Sequence, residues 1–273
     1  MVSAALHANR RRFDVVYVER RHDDQRLQRL AGIARRHEIE VRFATRATLD
    51  GLAGGPGHGG VVAYAGPRPW DDLPHLAAAL KRARAPLVVA LEGVEDPFNF
   101  GRILRSAEAG GATAVLTRLR DWGESAEDIS RVSAGAYERL PLIGLPQLAG
   151  ALHGLRQRGL AVLAAVPDGA RPSFAADLAR PVVLVIGGER RGLSKLTLAA
   201  CQQTIAIPMA RATQSLAVCD AAAILIYEVG RQRHEPGAAA GPEQEQAHER
   251  SLGPDRLRRG RRASSRTSPR RAE

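Results

Sequence analysis

The chain has 273 residues, 44% of them hydrophobic, a formal net charge of +11 and an isoelectric point near 10.9. That length suffices for one large or two modest cores, while the longest apolar runs fall short of the roughly 18–20 residues of a membrane span. Cys201 and Cys219 are the only cysteines, which excludes a disulfide scaffold and a multi-cysteine zinc site and suits a reducing cytoplasm.

The opening residues 1–12, MVSAALHANRRR, predict an amphipathic helix leading into a strand over Phe13–Val18; a transit peptide is the competing reading of their basic, acid-free composition. Gln25–Arg36 predicts a helix, with Leu27, Leu30 and Ile33 at helical spacing. A strand over Val41–Ala44 follows. The glycine-rich run 51–60 reads as a flexible loop ending in a strand over Val61–Ala65. The proline-rich segment 66–74 reads as a linker. Arg10, Arg11, Arg12, Arg20 and Arg21 cluster around the first strand. They are candidate phosphate contacts, or else a solvated face; as contacts they predict binding that weakens steeply with salt.

From about residue 76 the pattern is α/β. Strand candidates are Leu87–Leu91, Thr113–Thr117, Leu160–Val166, Val182–Ile186 and Thr204–Pro208, separated by helices over Gly101–Ala109, Pro146–Arg158, Ser194–Cys201 and Ser215–Gln232. Strands apolar on both faces and alternating with helices predict a parallel sheet covered on both sides. The last helix is apolar on nearly every face from Leu216 to Val229, which predicts burial all round. Residues 231–273 carry 11 arginines against 6 acids; beyond Arg233 no apolar periodicity remains, which predicts a disordered basic tail. Lys81 and Lys195 are the only lysines among 40 basic residues. A GC-rich genome would explain arginine in place of lysine but not the net excess, which points to a polyanionic partner.

Ligands of open parallel sheets sit beyond the carboxyl ends of the strands, and three loops there carry chemistry. The first holds Asn99 and Gly101 at a helix start, with Arg102 and Arg105 in the first turns, a setting that favours an anion such as phosphate; a plain surface arginine is the alternative. The second, GGERRGLS, has Gly187, Gly188 and Gly192 for close backbone approach and Glu189 to repel phosphates, so it suits a ligand with a hydroxyl or a cationic centre; a tight turn before a helix is the alternative. The third runs from Ile207 and Met209 to Ser215 and Leu216, whose backbone can hydrogen-bond a planar heterocycle; Ser215 is also placed to cap a helix.

DPFNFGRILRSAEAGGA, RVSAGAYERLPL (131–142), LVIGGERRGLS and IAIPMARATQSLAVCDAAAILIYE, in this order and spacing, resemble the SpoU (TrmH-type) ribose 2′-O-methyltransferases of the SPOUT superfamily over about residues 86–230. The N-terminal part resembles the small ribosomal-protein-like substrate-binding domain of rRNA-modifying members. The resemblance implies an α/β fold with a SPOUT-type parallel sheet and a C-terminal trefoil knot, S-adenosylmethionine held by Gly187, Gly188, Glu189, Gly192, Ile207, Met209, Ser215 and Leu216, and a homodimer. It divides the chain into an RNA substrate-binding domain over 1–66, a linker and first helix over 67–84, a methyltransferase domain over 85–232 and a tail over 233–273.

The implied reaction is methyl transfer to a ribose 2′-hydroxyl by an in-line displacement, so positioning supplies much of the rate. Arg105 carries the central role, with Asn99, Ser215 and Glu189 around it and Arg102 toward the RNA. A guanidinium with a pKa above about 12 is a poor base, which favours Arg105 as the group that orients ribose and phosphate and stabilises the oxyanion. The expected substrate is large-subunit rRNA rather than tRNA; membrane and metal are not expected. One departure matters: family members read SLNVS where this chain has Ser215-Leu216-Ala217-Val218-Cys219, followed by Asp220. Ala217 lacks an amide, and Asp220 either recovers part of that role or pairs with an arginine. A non-catalytic RNA-binding or ribosome-assembly protein is therefore the main alternative. A dinucleotide enzyme lacks its glycine fingerprint, and the eight histidines are scattered.

Overall fold

The computed structural model describes residues 1–21, 23–168, 171–210 and 216–234. It begins with α1 (Val2–Ala8), β1 (Phe13–Glu19), α2 (Gln25–Arg36), β2 (Val41–Ala44), α3 (Arg46–Ala53) and β3 (Val61–Ala65). The three strands form a small sheet in the order β2-β1-β3, parallel on one side of β1 and antiparallel on the other. The Asp24 carboxylate opens α2 by accepting from the amides of Arg26 and Leu27. Leu27, Leu30, Ala31 and Ala34 then bury one face of α2 against Leu6, Val16, Val18 and Val61. The run 51–60 is more ordered than its glycines suggest. α3 extends through Ala53, and the His58 ring accepts from the Gly60 amide at 3.0 Å while its other nitrogen meets Asp50 at 2.9 Å.

The chain continues through α4 (Leu73–Arg82), β4 (Leu87–Glu92), α5 (Pro97–Ala109), β5 (Ala114–Arg118), α6 (Ser125–Val132), α7 (Ala136–Arg139), β6 (Leu142–Leu145), α8 (Ala149–Gln157), β7 (Ala161–Ala165), β8 (Arg171–Pro172), β9 (Val182–Gly187), α9 (Lys195–Ala200), β10 (Gln203–Ala206) and α10 (Val218–His234). Seven strands form one parallel sheet in the order β6-β5-β4-β9-β7-β10-β8. Alternation along β4 explains its unbroken apolar run. Leu87, Val89 and Leu91 join the layer with α5 and α10, whereas Val88 and Ala90 join the layer with α4 and α8.

α10 departs from the expected burial on every side. Val218, Ala222, Leu225, Ile226 and Val229 are buried, but Ile224 is 42% and Tyr227 71% exposed. An apolar composition does not distinguish a face covered by this chain from one left for another molecule. The buried face fits closely. A Cβ on Gly110, at the end of α5, would lie 2.1 Å from Ile226 Cγ2.

Met1–Gly230 form one compact unit, and the segment read as a linker is clamped within it. Arg68 is buried and donates to Leu140 O at 2.7 Å and Asp71 Oδ2 at 3.0 Å; Asp71 also accepts from the Leu142 amide and pairs with Arg10. Arg11 makes a bidentate pair with buried Glu138, at 2.9 and 2.8 Å, and donates to Gly66 O. The Tyr137 ring lies beneath the guanidinium groups of both Arg11 and Arg68, each 5.6 Å from its centroid. The residues 131–142 thus join the N-terminal sheet to the large one.

Candidate functional site

The first loop leaves β4 at Glu92 and enters α5. Asp96 caps that helix by accepting from the Asn99 amide at 2.7 Å, and Pro97 occupies its first position, where a missing N–H costs nothing. The helix therefore begins one turn before the Gly101 predicted from periodicity. Asn99 lies in its first turn and donates its side-chain amide to Glu189 Oε1 at 3.0 Å, across 90 residues of sequence. The first two chemistry-bearing loops are thus in direct contact. Arg102 and Arg105 lie further along α5, both exposed.

The second loop follows β9, directly beside β4. A Cβ on Gly188 would lie 1.9 Å from Gly93 O, and one on Gly187 2.5 Å from Gly192 C, so no other residue fits this fold of backbone. Glu92 holds both ends of the loop. Its carbonyl accepts from the Gly188 amide at 2.7 Å, and its carboxylate accepts from the Ser194 amide at 2.8 Å and from the hydroxyls of Ser194 and Thr197 at 3.0 Å each. Sequence reasoning passed over Glu92. The available signal was an acid ending an otherwise apolar strand, LVVALE.

In the third loop Ile207 is half-buried against the core beneath the sheet, and Met209 and Leu216 are also half-buried. Ser215, expected to act near the reacting centre, lies outside the described residues, as do the rest of 211–215 and the tail from residue 235. Ala217 and Asp220 are exposed at the start of α10. The Asp220 carboxylate accepts a weak bond from the Cys219 thiol at 3.7 Å, and among the described residues it pairs with no arginine. Burial, reinforced by the charge of Glu92, pushes the Cys201 thiol up to about 11, so it is protonated and inert at neutral pH.

The five N-terminal arginines divide. Arg10 and Arg11 are taken up by Asp71 and Glu138 at the joint. Arg21 pairs with Glu19 at 3.0 Å, and Arg20 donates to Phe43 O at 3.3 Å while staying exposed. Arg12 is exposed and makes no side-chain pair among the described residues. Exposed cationic surface in this part therefore rests on Arg12, Arg20 and Arg21 rather than on the whole cluster.

Comparisons with known proteins bear on this arrangement. The SpoU rRNA methylase family matches residues 86–227, and the RNA 2′-O ribose methyltransferase substrate-binding family matches residues 1–70. The 23S rRNA (guanosine-2′-O-)-methyltransferase RlmB of Pseudomonas putida is 33% identical over 234 residues, covering 85% of this chain and 94% of the relative. RlmB of Xylella fastidiosa is 39% identical over 222 residues, covering 80% and 88%. Among solved structures, the SpoU methyltransferase AviRb of Streptomyces viridochromogenes, in complex with the cofactor AdoMet, is 25% identical with a TM-score of 0.68, covering 85% of this chain and 87% of that one.

Proposed function

The chain belongs to the SpoU rRNA methylase family and is an RNA 2′-O-ribose methyltransferase, and from that premise we propose how its residues divide the work and which RNA they serve. S-adenosylmethionine is the cofactor, and when bound it supplies a methyl group activated by a sulfonium centre. The loop built by Gly187, Gly188 and Gly192 suits such a group. It presents backbone where a Cβ would not fit, and Glu189 offers a carboxylate to a cation. Gly187, Gly188, Gly192, Ile207, Met209, Leu216 and Ser215 hold the cofactor in this reading.

The observation that carries the proposal is the Asn99–Glu189 hydrogen bond. It joins the start of the arginine-bearing helix to the glycine loop, and so supports a single centre made from both. Arg105 orients the acceptor ribose and the adjacent phosphate. It also stabilises the negative charge that develops on the 2′ oxygen, a task for a permanently charged fork. Asn99 and Glu189 fix the two loops relative to each other. Arg102, Arg20, Arg12 and Arg21 contact RNA phosphates, while Arg10 and Arg11 brace the domain that presents them.

The substrate is large-subunit rRNA, and the acceptor is the ribose of a guanosine. The RlmB relatives, similar along 80–85% of this chain, support that reading through their 23S rRNA (guanosine-2′-O-) specificity. A homodimer is supported by the exposed apolar side chains Ile224 and Tyr227 on α10. The C-terminal trefoil knot is supported by the strand order. After laying down β7 the chain returns to insert β9 between β4 and β7, and then moves outward to β10. The protein works in the cytoplasm, where its rRNA substrate is made. Mass-spectrometric mapping of ribose methylation in rRNA from cells with and without the gene tests the proposal. One guanosine that loses its 2′-O-methyl group is the expected result; an unchanged rRNA methylation map overturns it.

A further inference from the structure

The solvent face of α5 carries a ring that folding does not account for. Phe98, Arg102 and Arg105 stand at i, i+4 and i+7, one stripe of an α-helix, and all three are exposed. Phe98 presents 46% of its surface to solvent. The same helix end has a different ring for packing. Phe100 is fully buried and stacks on Trp122, with centroids 4.8 Å apart and 21° between the planes.

The two arginines are equally unoccupied. Arg10, Arg11, Arg68 and Arg139 are each held by a carboxylate. Arg102 and Arg105 take no ion-pair or side-chain hydrogen-bond partner among the described residues. At a rise of 1.5 Å per residue, Phe98 lies about 10 Å from Arg105 along the helix axis, a span on the scale of one nucleotide with its phosphate. Asn99, next to Phe98, reaches Glu189 in the catalytic centre.

We propose that Phe98 is a stacking platform for an unpaired base of the RNA, the base adjoining the nucleotide whose ribose faces Arg105, with Arg102 gripping the phosphate between the two. This rests on the methyltransferase reading above. Sequence-specific RNA recognition relies on unstacked bases laid on aromatic rings, and a guanidinium fork holds phosphate bidentately. A ring followed by two free cations suits a ligand that has both a π face and an anion. The chain's own surface is a poorer match, because its net charge is strongly positive.

The test measures binding and turnover on an rRNA fragment containing the mapped site. Removing a stacked base partner costs about tenfold or more in affinity. Phe98→Ala and Phe98→Leu should both lose that factor in RNA affinity and in kcat/KM. Phe98→Trp should retain wild-type values, and cofactor affinity by calorimetry should be unchanged in all three. Replacing the adjoining nucleotide with an abasic residue should weaken wild-type binding by the same factor and leave Phe98→Ala no weaker. Wild-type RNA affinity in Phe98→Leu overturns the inference, because bulk without a π face would then suffice. So does a drop in sedimentation mass for Phe98→Ala, which would give the ring to a second copy. An rRNA map unchanged by loss of the gene sinks the methyltransferase reading instead, and is told apart by the direct binding data.

Discussion

In the role proposed for Arg105, the shape of the charge matters more than its sign. Lysine keeps the positive charge but replaces a planar fork with a point, and the two are not interchangeable where ribose and phosphate must be aligned together. Arg105→Lys is expected to lower turnover by orders of magnitude while calorimetry finds cofactor affinity little changed; wild-type-like turnover would remove Arg105 from the mechanism. Glu92 makes a complementary prediction. It satisfies the Ser194 amide and two hydroxyls and holds Gly188 through its carbonyl. Glu92→Gln turns one acceptor into a donor facing those donors, and bonds to a charged acceptor are each worth roughly 1.5–3 kcal/mol. Cofactor binding should weaken about tenfold or more by calorimetry, with RNA affinity unchanged. Asn99 and Glu189 could be singled out because their motifs stand in register along the chain, and the fold brings the two side chains into contact. Glu92 could not, since its importance lies in contacts to residues 102 and 105 positions away.

At the level of elements, periodicity identified α2, β2 and β3 with the bounds observed, because each has a clear apolar face or a glycine stop. It passed over α3, whose single buried residue is Leu49, and β6, a strand of four residues of which only Leu142 falls within the motif 131–142. The proline-rich connection misled most. Pro and Gly usually mark loose chain, but here they flank Arg68 and Asp71, whose bonds to Leu140 and Leu142 close only in three dimensions. Burial alone would raise the Asp71 carboxyl, yet the Leu142 amide and the guanidinium groups of Arg68 and Arg10 outweigh it and hold the group below its usual range. A depressed carboxyl stabilises the fold fully above its unfolded value, near 3.9, and loses that contribution as pH falls through the folded value. Asp71→Ala leaves the Arg68 guanidinium buried without its carboxylate. Denaturation at neutral pH should show a loss of about 3 kcal/mol, a gap from wild type that closes as the solution is acidified below about pH 4. An equal gap at acid and neutral pH would refute this account.

For the molecule as a whole, the excess positive charge is the property that composition alone disclosed. Its distribution was not legible, because sequence cannot say which arginines meet carboxylates. Much of the charge near β1 is neutralised at the joint, whereas residues 231–273 carry a surplus of arginine over acid. Phosphate contacts release counterions, so RNA affinity should fall linearly on a log–log plot against salt. Truncation after Arg233 should make that slope shallower and weaken RNA binding while leaving cofactor binding intact; filter binding across a salt series reads the first and calorimetry the second. An unchanged slope would show that the tail takes no part.

The joint made by Arg11, Arg68, Asp71 and Glu138 bears on what kind of reader this enzyme is. Two surfaces bolted together behave as the jaws of a caliper, and a caliper gauges span before it spells letters. An RNA lengthened by one base pair between the gripped region and the acceptor nucleotide would keep every contact it could make and still be turned away, because the gap no longer fits.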